Sequence, residues 1–555
     1  MSNRRAKYVD PRPPSDDYEN MKPSTFPATN SSTPPASAFP SASPVASTPD
    51  KPPADPFLVS AHGTPLEVRC PFDGSLVGTV PTATEEDVDA AVRSARTAQR
   101  AWARVNPRQR ARIIATFARL VLDEEERILD LIQQESGKNR LSAFEEVMDV
   151  ARLAAHYASQ APSLLRTKHH AGAIPVLTRT RELRHPKGVI GIISPWNYPF
   201  TLAASDTIPA LLAGNAVVMK PDSQTPFTAI LVLELLQRAG LPAGLFQLVP
   251  GAGSSVGPLL IERVDFLMFT GSTATGTTIA QQCASRLIGY SAELGGKNPM
   301  LVLADADPQK AARGAVKACF SNTGQLCVSI ERIYVNTAVY ESFVREFTAS
   351  TRAQRIGPGF DWTMDVGSLV SQKQLQTVTA HVEDAVSKGA TVLTGGQPRP
   401  DLGPLFYEHT ILSDVPDNAV LAHKETFGPV VAVYRVFDDD EAIQRANDTE
   451  YGLNASVWSA SGAHARRVAE RLEAGTVNIN DGYAAAWASH SSPMGGWKQS
   501  GVGRRHGTEG LLKYTEPQTV AHQRLHPIAP LPGMTNADFG AFMSRALRIM
   551  DRLGF

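Results

Sequence analysis

Hydrophobic positions along the first part of the chain follow a helical period. Between about residues 84 and 165 apolar side chains recur every three or four positions, and acidic residues stand in the first turns, as in ATEEDVDAAVRSARTAQRAWA. This pattern predicts amphipathic α-helices. Short β-branched runs separated by helical segments follow, which is typical of βαβ units in a parallel sheet. These runs are GVIGIIS (188–194), AVVMK (216–220), LFQLVP (245–250) and DFLMFT (265–270).

A second alternating set of strands and helices occupies the later part of the chain and predicts a second α/β lobe. Because ligands bind preferentially between lobes, the cleft between these two is the expected site. The strand runs of the second set are PMLVL (299–303), RIYVN (332–336), VVAVYRV (430–436) and TVNIN (476–480).

The two ends of the chain differ from this pattern. Residues 1–55 are crowded with Pro, Ser, Thr and Ala, so they cannot bury enough apolar surface to offset the entropy of ordering, and we predict a disordered tail. In residues 536–553 the apolar side chains fall near one helical face, which predicts a docked amphipathic helix, with attachment to a membrane surface as the alternative. Those side chains are Phe539, Phe542, Met543, Ala546, Met550 and Leu553.

Composition narrows the class of protein. The chain has 555 residues, 42% of them hydrophobic and 20% charged, and a formal net charge of −1, which indicates a soluble multidomain protein with no general attraction for nucleic acid. No apolar run is long enough for an integral membrane segment, and the N-terminus lacks the apolar core of a signal peptide. The four cysteines show no metal-ligand spacing, so we expect a cytoplasmic protein without a metal site.

Cys327 lies in SNTGQLCVSI, after a predicted helix ending in KACF and a turn at Gly324. Most free cysteines are buried structural residues, but a position at a change of secondary structure can expose and activate a thiol.

Upstream, AELGGKNP places Glu293 beside Gly295 and Gly296, whose lack of Cβ lets another segment approach closely. A carboxylate in such crowded surroundings is a candidate general base, with a solvated surface charge as the alternative.

Two further motifs stand at the ends of predicted strands, where open α/β sheets bind their ligands. Trp196 and Asn197 lie in SPWNYP, where the Asn amide can stabilise an oxyanion or, alternatively, cap its own turn. Gly271 and Ser272 lie in FTGSTATG, between a strand and a helix, so the first helical amides can receive a phosphate.

These motifs occur in the order SPWNYP, MKPDSQTP, FTGSTATG, AELGGKNP, NTGQLCVS, ETFGPVV and PMGGWKQSGVGR. Taken together they resemble the aldehyde dehydrogenase superfamily over about residues 56–523. Within this superfamily the sequence most resembles the bacterial NADP-dependent succinate-semialdehyde dehydrogenases, notably in GYSAELGGKNPM and SGVGRRHGTEGLLKYTE.

The resemblance implies that Cys327 is the nucleophile, which attacks the aldehyde carbonyl and goes on to form a thioester. Asn197 and the Cys327 N–H would hold the oxyanion, and Glu293 would activate the hydrolytic water. The cofactor contacts that it implies are Trp196, Lys220, Ser223, Gly271, Ser272, Glu425 and Phe427.

The cofactor expected is NADP, with NAD possible. Ser223 stands where NAD-preferring relatives commonly carry a glutamate that would repel a 2′-phosphate. Lys220 would supply a positive charge there, whereas Asp222 opposes it.

Departures from the family pattern concern the substrate. Some succinate-semialdehyde dehydrogenases clamp the substrate carboxylate with two arginines, but the corresponding positions here are Ser205 and Ser321. Ser489 matches a hydroxyl of that pocket. Asp206 and Arg505 stand where many relatives have Lys and Glu, which suggests an ion pair of reversed polarity.

The resemblance further implies an α/β aldehyde dehydrogenase-like fold that assembles as a homodimer or homotetramer. The expected parts are a Rossmann-like cofactor-binding domain (56–171 and 188–294), an α/β catalytic domain (295–490), a small β oligomerisation arm (172–187 and 511–523) and a C-terminal extension (524–555). The leading function is oxidation of succinate semialdehyde. The alternatives are an aldehyde dehydrogenase of other or broader specificity and a non-catalytic protein that retains the fold.

Overall fold

The computed structural model describes residues 60–173, 178–524 and 527–552. The predicted disordered tail, 1–55, lies outside these residues, as does Leu553 of the C-terminal helix.

The first half of the chain contains two strands, four long helices, a β-hairpin and then alternating strands and helices. In order these are β1 (Pro65–Arg69), β2 (Leu76–Pro81), α1 (Glu85–Trp102), α2 (Pro107–Asp123), α3 (Glu125–Ser136), α4 (Arg140–Leu164), β3 (Lys168–Ala171), β4 (Thr178–Pro186), β5 (Val189–Ile193), α5 (Pro199–Ala204), α6 (Thr207–Leu212), β6 (Ala216–Lys220), α7 (Pro226–Arg238), β7 (Phe246–Leu248), α8 (Gly253–Ile261), β8 (Phe266–Thr270), α9 (Thr273–Ser285) and β9 (Gly289–Glu293).

The second half repeats the alternation and ends in a long strand and a helix. Its elements are β10 (Asn298–Val302), α10 (Pro308–Phe320), a 3₁₀ turn (Ser321–Gly324), β11 (Ile330–Asn336), α11 (Tyr340–Arg352), α12 (Gln372–Ser387), β12 (Thr391–Thr394), β13 (Thr410–Ser413), α13 (Val420–His423), β14 (Val430–Val436), α14 (Asp439–Asn447), β15 (Tyr451–Gly452), β16 (Asn454–Trp458), α15 (Gly462–Ala469), β17 (Thr476–Ile479), α16 (Ala484–Trp487), β18 (Trp497–Lys498), β19 (Gly501–Val502), α17 (Gly507–Leu512), β20 (Thr515–Gln523) and α18 (Asn536–Arg552).

The four predicted strand runs of the first lobe form one sheet with the order β19-β9-β8-β5-β6-β7. All neighbours are parallel except β19, which pairs antiparallel with β9. Strands β5 and β6 are buried along their whole length, because helices cover both faces of a parallel sheet, and this explains their continuous apolar sequence. The predicted βαβ organisation is therefore confirmed.

The second set of predicted strands forms a seven-stranded sheet with the order β12-β13-β14-β11-β10-β16-β17. Its inner pairs are parallel, and only the edge strand β12 runs antiparallel to its neighbour. Strand β11 is buried at every position although it contains Glu331 and Arg332. Arg332 donates to the Lys297 carbonyl at 2.7 Å and to the Ala446 carbonyl at 3.0 Å, and the partners of Glu331 are described below. The predicted second α/β lobe is confirmed.

A three-stranded antiparallel sheet, β20-β4-β3, contains the segments that were predicted to form an arm. Strands β4 and β20 pair over nine residues, Thr178–Pro186 with Thr515–Gln523. The sheet differs from the predicted boundaries at both ends. It also includes Lys168–Ala171, which pairs with β4, whereas residues 511 and 512 belong to helix α17.

The predicted C-terminal helix is present as α18, but none of its described residues is buried. Phe542 is 60% exposed, Leu547 56% and Ile549 52%. Leu547 and Ile549 lie outside the predicted apolar face. Of that face Phe542 is exposed, and the others that the structure describes are half-buried, namely Phe539, Met543, Ala546 and Met550. The predicted docking therefore does not bury the face within a single chain. None of the described helices is long and apolar enough to cross a membrane.

Helix α1 begins with a capping box that the sequence ATEED anticipates. The Thr84 hydroxyl accepts from the Asp87 N–H at 3.2 Å, and the Asp87 carboxylate accepts from the Thr84 N–H at 2.9 Å. These bonds satisfy two of the amides that a helix start leaves without partners.

We expect Thr84→Ala to lower the free energy of unfolding by about 1 kcal/mol because it removes this cap. The measurement is the urea midpoint followed by circular dichroism. Thr97→Ala is the matched control, since Thr97 lies on the exposed side of the same helix and its hydroxyl donates only to Arg93 O. Equal losses in the two variants would contradict a specific role for the cap.

Candidate active site

The carboxyl ends of the strands of the six-stranded sheet meet at one edge, and the predicted motifs lie there. Trp196 and Asn197 follow β5, Gly271 and Ser272 follow β8, and Glu293 ends β9. The chain runs from β5 outward to β6 and β7 and then returns on the other side to β8 and β9. Ligands of open α/β sheets bind at such a switch in strand order.

Cys327 reaches this edge from the second lobe, on a turn after α10. Asn322 and Thr323 have left-handed φ values of 50° and 58° within that turn, and Gly324 follows at 69°. A Cβ on Gly324 would lie 2.1 Å from the Gly428 carbonyl oxygen, so only glycine fits without moving the backbone. Cys327, three residues after Gly324, is half-buried at the end of this turn.

One cavity of about 280 Å³ connects these groups. Nine of the predicted site residues line it, and four do not. The lining residues are Cys327, Glu293, Asn197, Trp196, Gly271, Ser272, Glu425, Phe427 and Ser205. The four outside the lining are Lys220, Ser223, Ser321 and Ser489.

Hydrogen bonds fix Asn197 next to the turn that carries Cys327. Its side-chain amide donates to the Gln325 carbonyl at 3.1 Å, two residues before Cys327. Its own carbonyl accepts from the Asn322 amide at 3.0 Å and from Lys138 Nζ at 2.7 Å. A side chain fixed in this way can stabilise developing charge without reorganisation.

The Lys138 ammonium is buried and forms an ion pair with Glu146 at 2.5 Å. The second oxygen of Glu146 accepts from the first amides of α5, those of Phe200 at 2.8 Å and Thr201 at 3.0 Å. Because both charges are buried and both are hydrogen-bonded, removing either one would leave its partner uncompensated. The pair fixes the segment that contains Asn197.

Burial raises the pKa of the Cys327 thiol to about 12, and the nearby Glu425 and Glu293 carboxylates act in the same direction. The thiol is therefore protonated at neutral pH, and nucleophilic attack requires a group that takes its proton. The Cys327 carbonyl accepts from the Asn298 side-chain amide at 2.8 Å, which fixes the backbone on one side of the sulfur.

Burial also raises the pKa of Glu293, to about 7. The cations Arg505 and Lys513 oppose this shift. Among the described residues the Oε1 atom of Glu293 has no hydrogen-bond partner. A buried carboxylate with a free oxygen and a pKa near neutrality has the properties of a general base.

The predicted contact between Asp206 and Arg505 is confirmed. Arg505 Nε donates to Asp206 Oδ2 at 2.8 Å, and the Lys513 ammonium and the Tyr514 hydroxyl contact Oδ1 at 3.0 and 2.7 Å. Although burial alone would raise the pKa of Asp206, the charges of Arg505 and Lys513 hold it well below the usual range. Asp206 thus neutralises two cations beside Glu293, a cluster wider than the predicted pair.

Glu425 lies against the glycine pair of AELGGKNP. Its carboxylate accepts from the Gly296 N–H at 2.8 Å, and a Cβ on Gly295 would lie 2.6 Å from Glu425 Oε2. The close approach predicted from these glycines is therefore confirmed. Burial, reinforced by the nearby Glu331, raises the pKa of Glu425 to about 8.

The turn that carries Phe427 is held by Glu331, which accepts from the Thr426 and Phe427 amides and pairs with Lys297 at 2.5 Å. Phe427 has a left-handed φ of 55°. Its ring meets that of Trp196 edge to face with centroids 5.6 Å apart, so the two sheets contribute one aromatic wall.

The first lobe also offers groups that fit a dinucleotide. Ser272 caps α9, so the amides of a helix N-terminus face the strand edge beside Gly271. On the other side of β5, the buried Lys220 ends β6 and donates to the Pro221 carbonyl at 2.7 Å. Ser223 donates to the Gly251 carbonyl at 3.1 Å. Phosphate donors and a cation thus share one edge.

The three serines predicted at the substrate end have different surroundings. Ser205 lines the cavity with Thr201, and neither buried hydroxyl has a hydrogen-bond partner within the described part of the chain. Ser321 instead lies beside the Tyr483 hydroxyl. Ser489 donates to the Ala485 carbonyl at 2.7 Å. Of these three serines, only Ser205 offers a free hydroxyl to a ligand in the cavity.

Sequence reasoning missed the buried charges that support the site: Lys138, Glu146, Lys297 and Glu331. A signal existed for Glu331, because a carboxylate inside the apolar strand IERIYVN must find a partner when the strand is buried. No comparable signal marks Lys138 and Glu146, which lie in helical sequence where a charge is ordinarily solvated.

Known proteins share this architecture. The chain matches the aldehyde dehydrogenase family over residues 58–520. It is 52% identical to a protein of Mycolicibacterium smegmatis named "Putative succinate-semialdehyde dehydrogenase [NADP(+)]", over 87% of this chain and 93% of the relative.

Solved structures agree with the sequence match. An Escherichia coli NADP-dependent enzyme superposes with a TM-score of 0.80 at 35% identity, over 83% of this chain and 95% of that one. A Staphylococcus aureus betaine aldehyde dehydrogenase, solved in complex with NAD⁺, gives a TM-score of 0.80 at 31% identity, over 85% and 94%. With its two α/β sheets meeting at one cavity, this chain belongs to the aldehyde dehydrogenase family.

Proposed function

We propose that this protein oxidises succinate semialdehyde to succinate with NADP⁺ as the oxidant, through a thioester on Cys327. The observation that supports the chemistry is the convergence of Cys327, Asn197 and Glu293 on one cavity formed by both lobes. The substrate and cofactor are those named for the M. smegmatis relative, which is 52% identical.

In the first step the Cys327 sulfur attacks the aldehyde carbon, and the carbonyl oxygen becomes an oxyanion. The thiol must lose its proton, and Glu293 is the carboxylate in the same cavity with a pKa, about 7, suited to accept it. The Asn197 side-chain amide and the Cys327 N–H stabilise the oxyanion. Donors of this kind contribute about 3 to 4 kcal/mol each to lowering the barrier.

When bound, the nicotinamide supplies the hydride acceptor that converts the thiohemiacetal into the thioester. The residues of this chain hold it in place. Trp196 and Phe427 form the aromatic wall, and Glu425 is the carboxylate available to accept from a ribose hydroxyl. Gly271 and Ser272 offer backbone and hydroxyl donors to the phosphates.

Hydrolysis of the thioester then requires a water molecule and a base. Glu293 first releases to solvent the proton that it took from the thiol. It then takes a proton from the water, hydroxide adds to the acyl carbon, and the Cys327 thiolate leaves. The product is a carboxylate, so the reaction releases protons and is effectively irreversible. The burial of Glu293 serves this step because it brings the pKa of the carboxyl close to the pH at which the enzyme works.

The preference for NADP⁺ rests on Ser223 and Lys220. A serine at 223 does not repel a 2′-phosphate as a carboxylate would, and Lys220 supplies positive charge at the end of β6. Lys220 is buried and its ammonium donates to a carbonyl, so a phosphate would have to approach from the open edge. NAD⁺ remains usable in this proposal, with weaker binding.

The substrate carboxylate is bound by hydroxyl groups in this proposal. No arginine occupies the two clamp positions, but the free hydroxyls of Ser205 and Thr201 can donate to it. A second candidate function, oxidation of uncharged aldehydes, is favoured by the apolar residues of the same cavity, Leu202, Leu326 and Trp487.

Assembly and location are also proposals. In the antiparallel sheet β20-β4-β3 the edge strands β20 and β3 are mostly exposed, which fits an arm that joins subunits into a homodimer or homotetramer. The four cysteines are free, which suits a reducing cytoplasm.

The function is tested by NADPH formation from succinate semialdehyde, hexanal and benzaldehyde, with NAD⁺ as the cofactor control. We expect kcat/KM for succinate semialdehyde with NADP⁺ to exceed that for hexanal, for benzaldehyde and for the reaction with NAD⁺ by tenfold or more, which corresponds to about 1.4 kcal/mol of transition-state preference. A preference for hexanal would establish the broader specificity instead.

Ser205→Ala should lower kcat/KM for succinate semialdehyde about tenfold, about 1.4 kcal/mol, and leave hexanal unchanged, because only the charged substrate uses the hydroxyl. Ser489→Ala is the control, since Ser489 does not line the cavity. Equal effects of Ser205→Ala on both aldehydes would contradict a role in carboxylate binding.

The kcat for oxidation should rise with pH below about 7 and level off above it, because Glu293 must be deprotonated to act and burial raises its pKa to about 7. Glu293→Gln should remove this dependence and lower kcat by about 10² to 10⁴. Glu425→Gln is the matched control, a second buried carboxyl in the same cavity, and it should chiefly raise the KM for NADP⁺. A retained pH limb in Glu293→Gln would assign the base elsewhere.

Arg505→Met should move this pH limb upward by about one unit, because the positive charge of Arg505 lowers the pKa of Glu293. Arg504→Met, at a neighbouring cation with a smaller influence on Glu293, should shift it less.

In a double-mutant cycle the effects of Asp206→Asn and Arg505→Met should not add, since the two side chains are in contact. Strictly additive effects would rule out the coupling.

A further inference from the structure

Behind the wall of the catalytic cavity lies a buried cluster of two histidines and one carboxylate. Asp149 comes from α4, His490 follows α16, and His506 precedes α17. Each of the three offers a potential ligand atom, and these atoms all lie within 4.8 Å of one another. Asp149 is 6% exposed, His490 5% and His506 3%.

The hydrogen bonds within the cluster leave it incompletely satisfied. His490 Nε2 lies 2.8 Å from Asp149 Oδ1. Asp149 Oδ2 and His506 Nδ1, both buried, have no hydrogen-bond partner among the residues that the structure describes. An unsatisfied buried polar atom costs about 1 to 3 kcal/mol, and a ligand bound by both residues would offset this cost.

The donor set has the chemistry of a transition-metal site. Two imidazoles and one carboxylate occur in sites that keep an open position for water or another ligand. Zn²⁺ binds such nitrogen and oxygen atoms at about 2.0 to 2.2 Å, which separates tetrahedral ligand atoms by about 3.3 Å. The contact between Asp149 and His490 would open slightly and His506 would close in, which small side-chain rotations achieve.

The charges next to the cluster are compensated. The nearby cations Arg505 and Lys513 are paired with Asp206, which reduces their repulsion of a bound cation.

The backbone around His506 is consistent with a built site. His506 has a left-handed φ of 56°, which a non-glycine residue adopts only where its surroundings require it. The same residue lines the catalytic cavity and directly follows Arg505. An ion at this place would tie α4 to the loop that carries the Asp206 contacts.

We propose that Asp149, His490 and His506 form a binding site for one divalent transition-metal ion, of which Zn²⁺ fits the donor set best. The ion has three protein ligands and one exchangeable ligand, and it braces the wall of the active site. This site does not depend on the proposed substrate or cofactor.

The test uses the full chain without an affinity tag, in a Cys327→Ala background so that the catalytic thiol cannot bind metal. After removal of metal with a chelator and dialysis against Zn²⁺, inductively coupled plasma mass spectrometry should give one Zn²⁺ per chain. Co²⁺ should give visible d–d bands without a strong thiolate charge-transfer band, because the proposed ligands contain no sulfur.

Asp149→Asn, His490→Gln and His506→Gln should each weaken Zn²⁺ binding at least tenfold, and the triple variant should abolish it. His156→Gln is the matched control, because its ring lies 6.4 Å from that of His490 but outside the ligand set, and it should bind as the parent does. Far-ultraviolet circular dichroism of each variant checks that it is folded.

Two results would overturn the site. One is the absence of stoichiometric Zn²⁺ or Co²⁺ in the folded parent. The other is binding that survives in the triple variant, which would place the ion elsewhere. If the triple variant does not fold, His506→Gln alone decides, since unchanged affinity in that variant would exclude His506 as a ligand.

Discussion

The structure depends on one constraint: the buried carboxyl group of Glu293 must remain able to ionise. Glu293 is buried in one cavity with the Cys327 thiol and the Glu425 carboxylate, and burial raises its pKa. Arg505 and Lys513 supply the opposing charge, and Asp206 and Tyr514 hold these two cations in place. The resulting pKa, about 7, is a balance between desolvation and a fixed positive field.

Buried ion pairs also orient the backbone on both sides of the cavity. Lys138 and Glu146 fix the segment of Asn197 in one lobe, while Lys297 and Glu331 fix the turn of Phe427 in the other. Each carboxylate accepts from backbone amides as well as from its lysine. A buried charge of this kind contributes little net stability, but it allows a single backbone position, and oxyanion stabilisation needs donors that are already in place.

Glycines complete the arrangement where two segments cross. Gly324 lies against the Gly428 carbonyl, and Gly296 lies against the Cys327 carbonyl. A Cβ on Gly296 would be 2.8 Å from the Cys327 carbonyl oxygen. Side chains at these positions would push the cysteine turn away from the strand edge. Glycine at both positions therefore lets the turn that carries Cys327 lie close to the strand edge.

The sequence by itself determined the parts that depend on local pattern. Continuous apolar runs predicted four strands of each sheet, because parallel strands are covered on two faces. The ordered motifs pointed to Cys327, Glu293 and Asn197, which line one cavity. Tertiary structure decided the rest. The partners of Asp206 and the cluster of Asp149, His490 and His506 bring together residues as far apart in the sequence as positions 149 and 506. No spacing reveals such pairs, because the pairing of buried polar groups depends on which surfaces fold together.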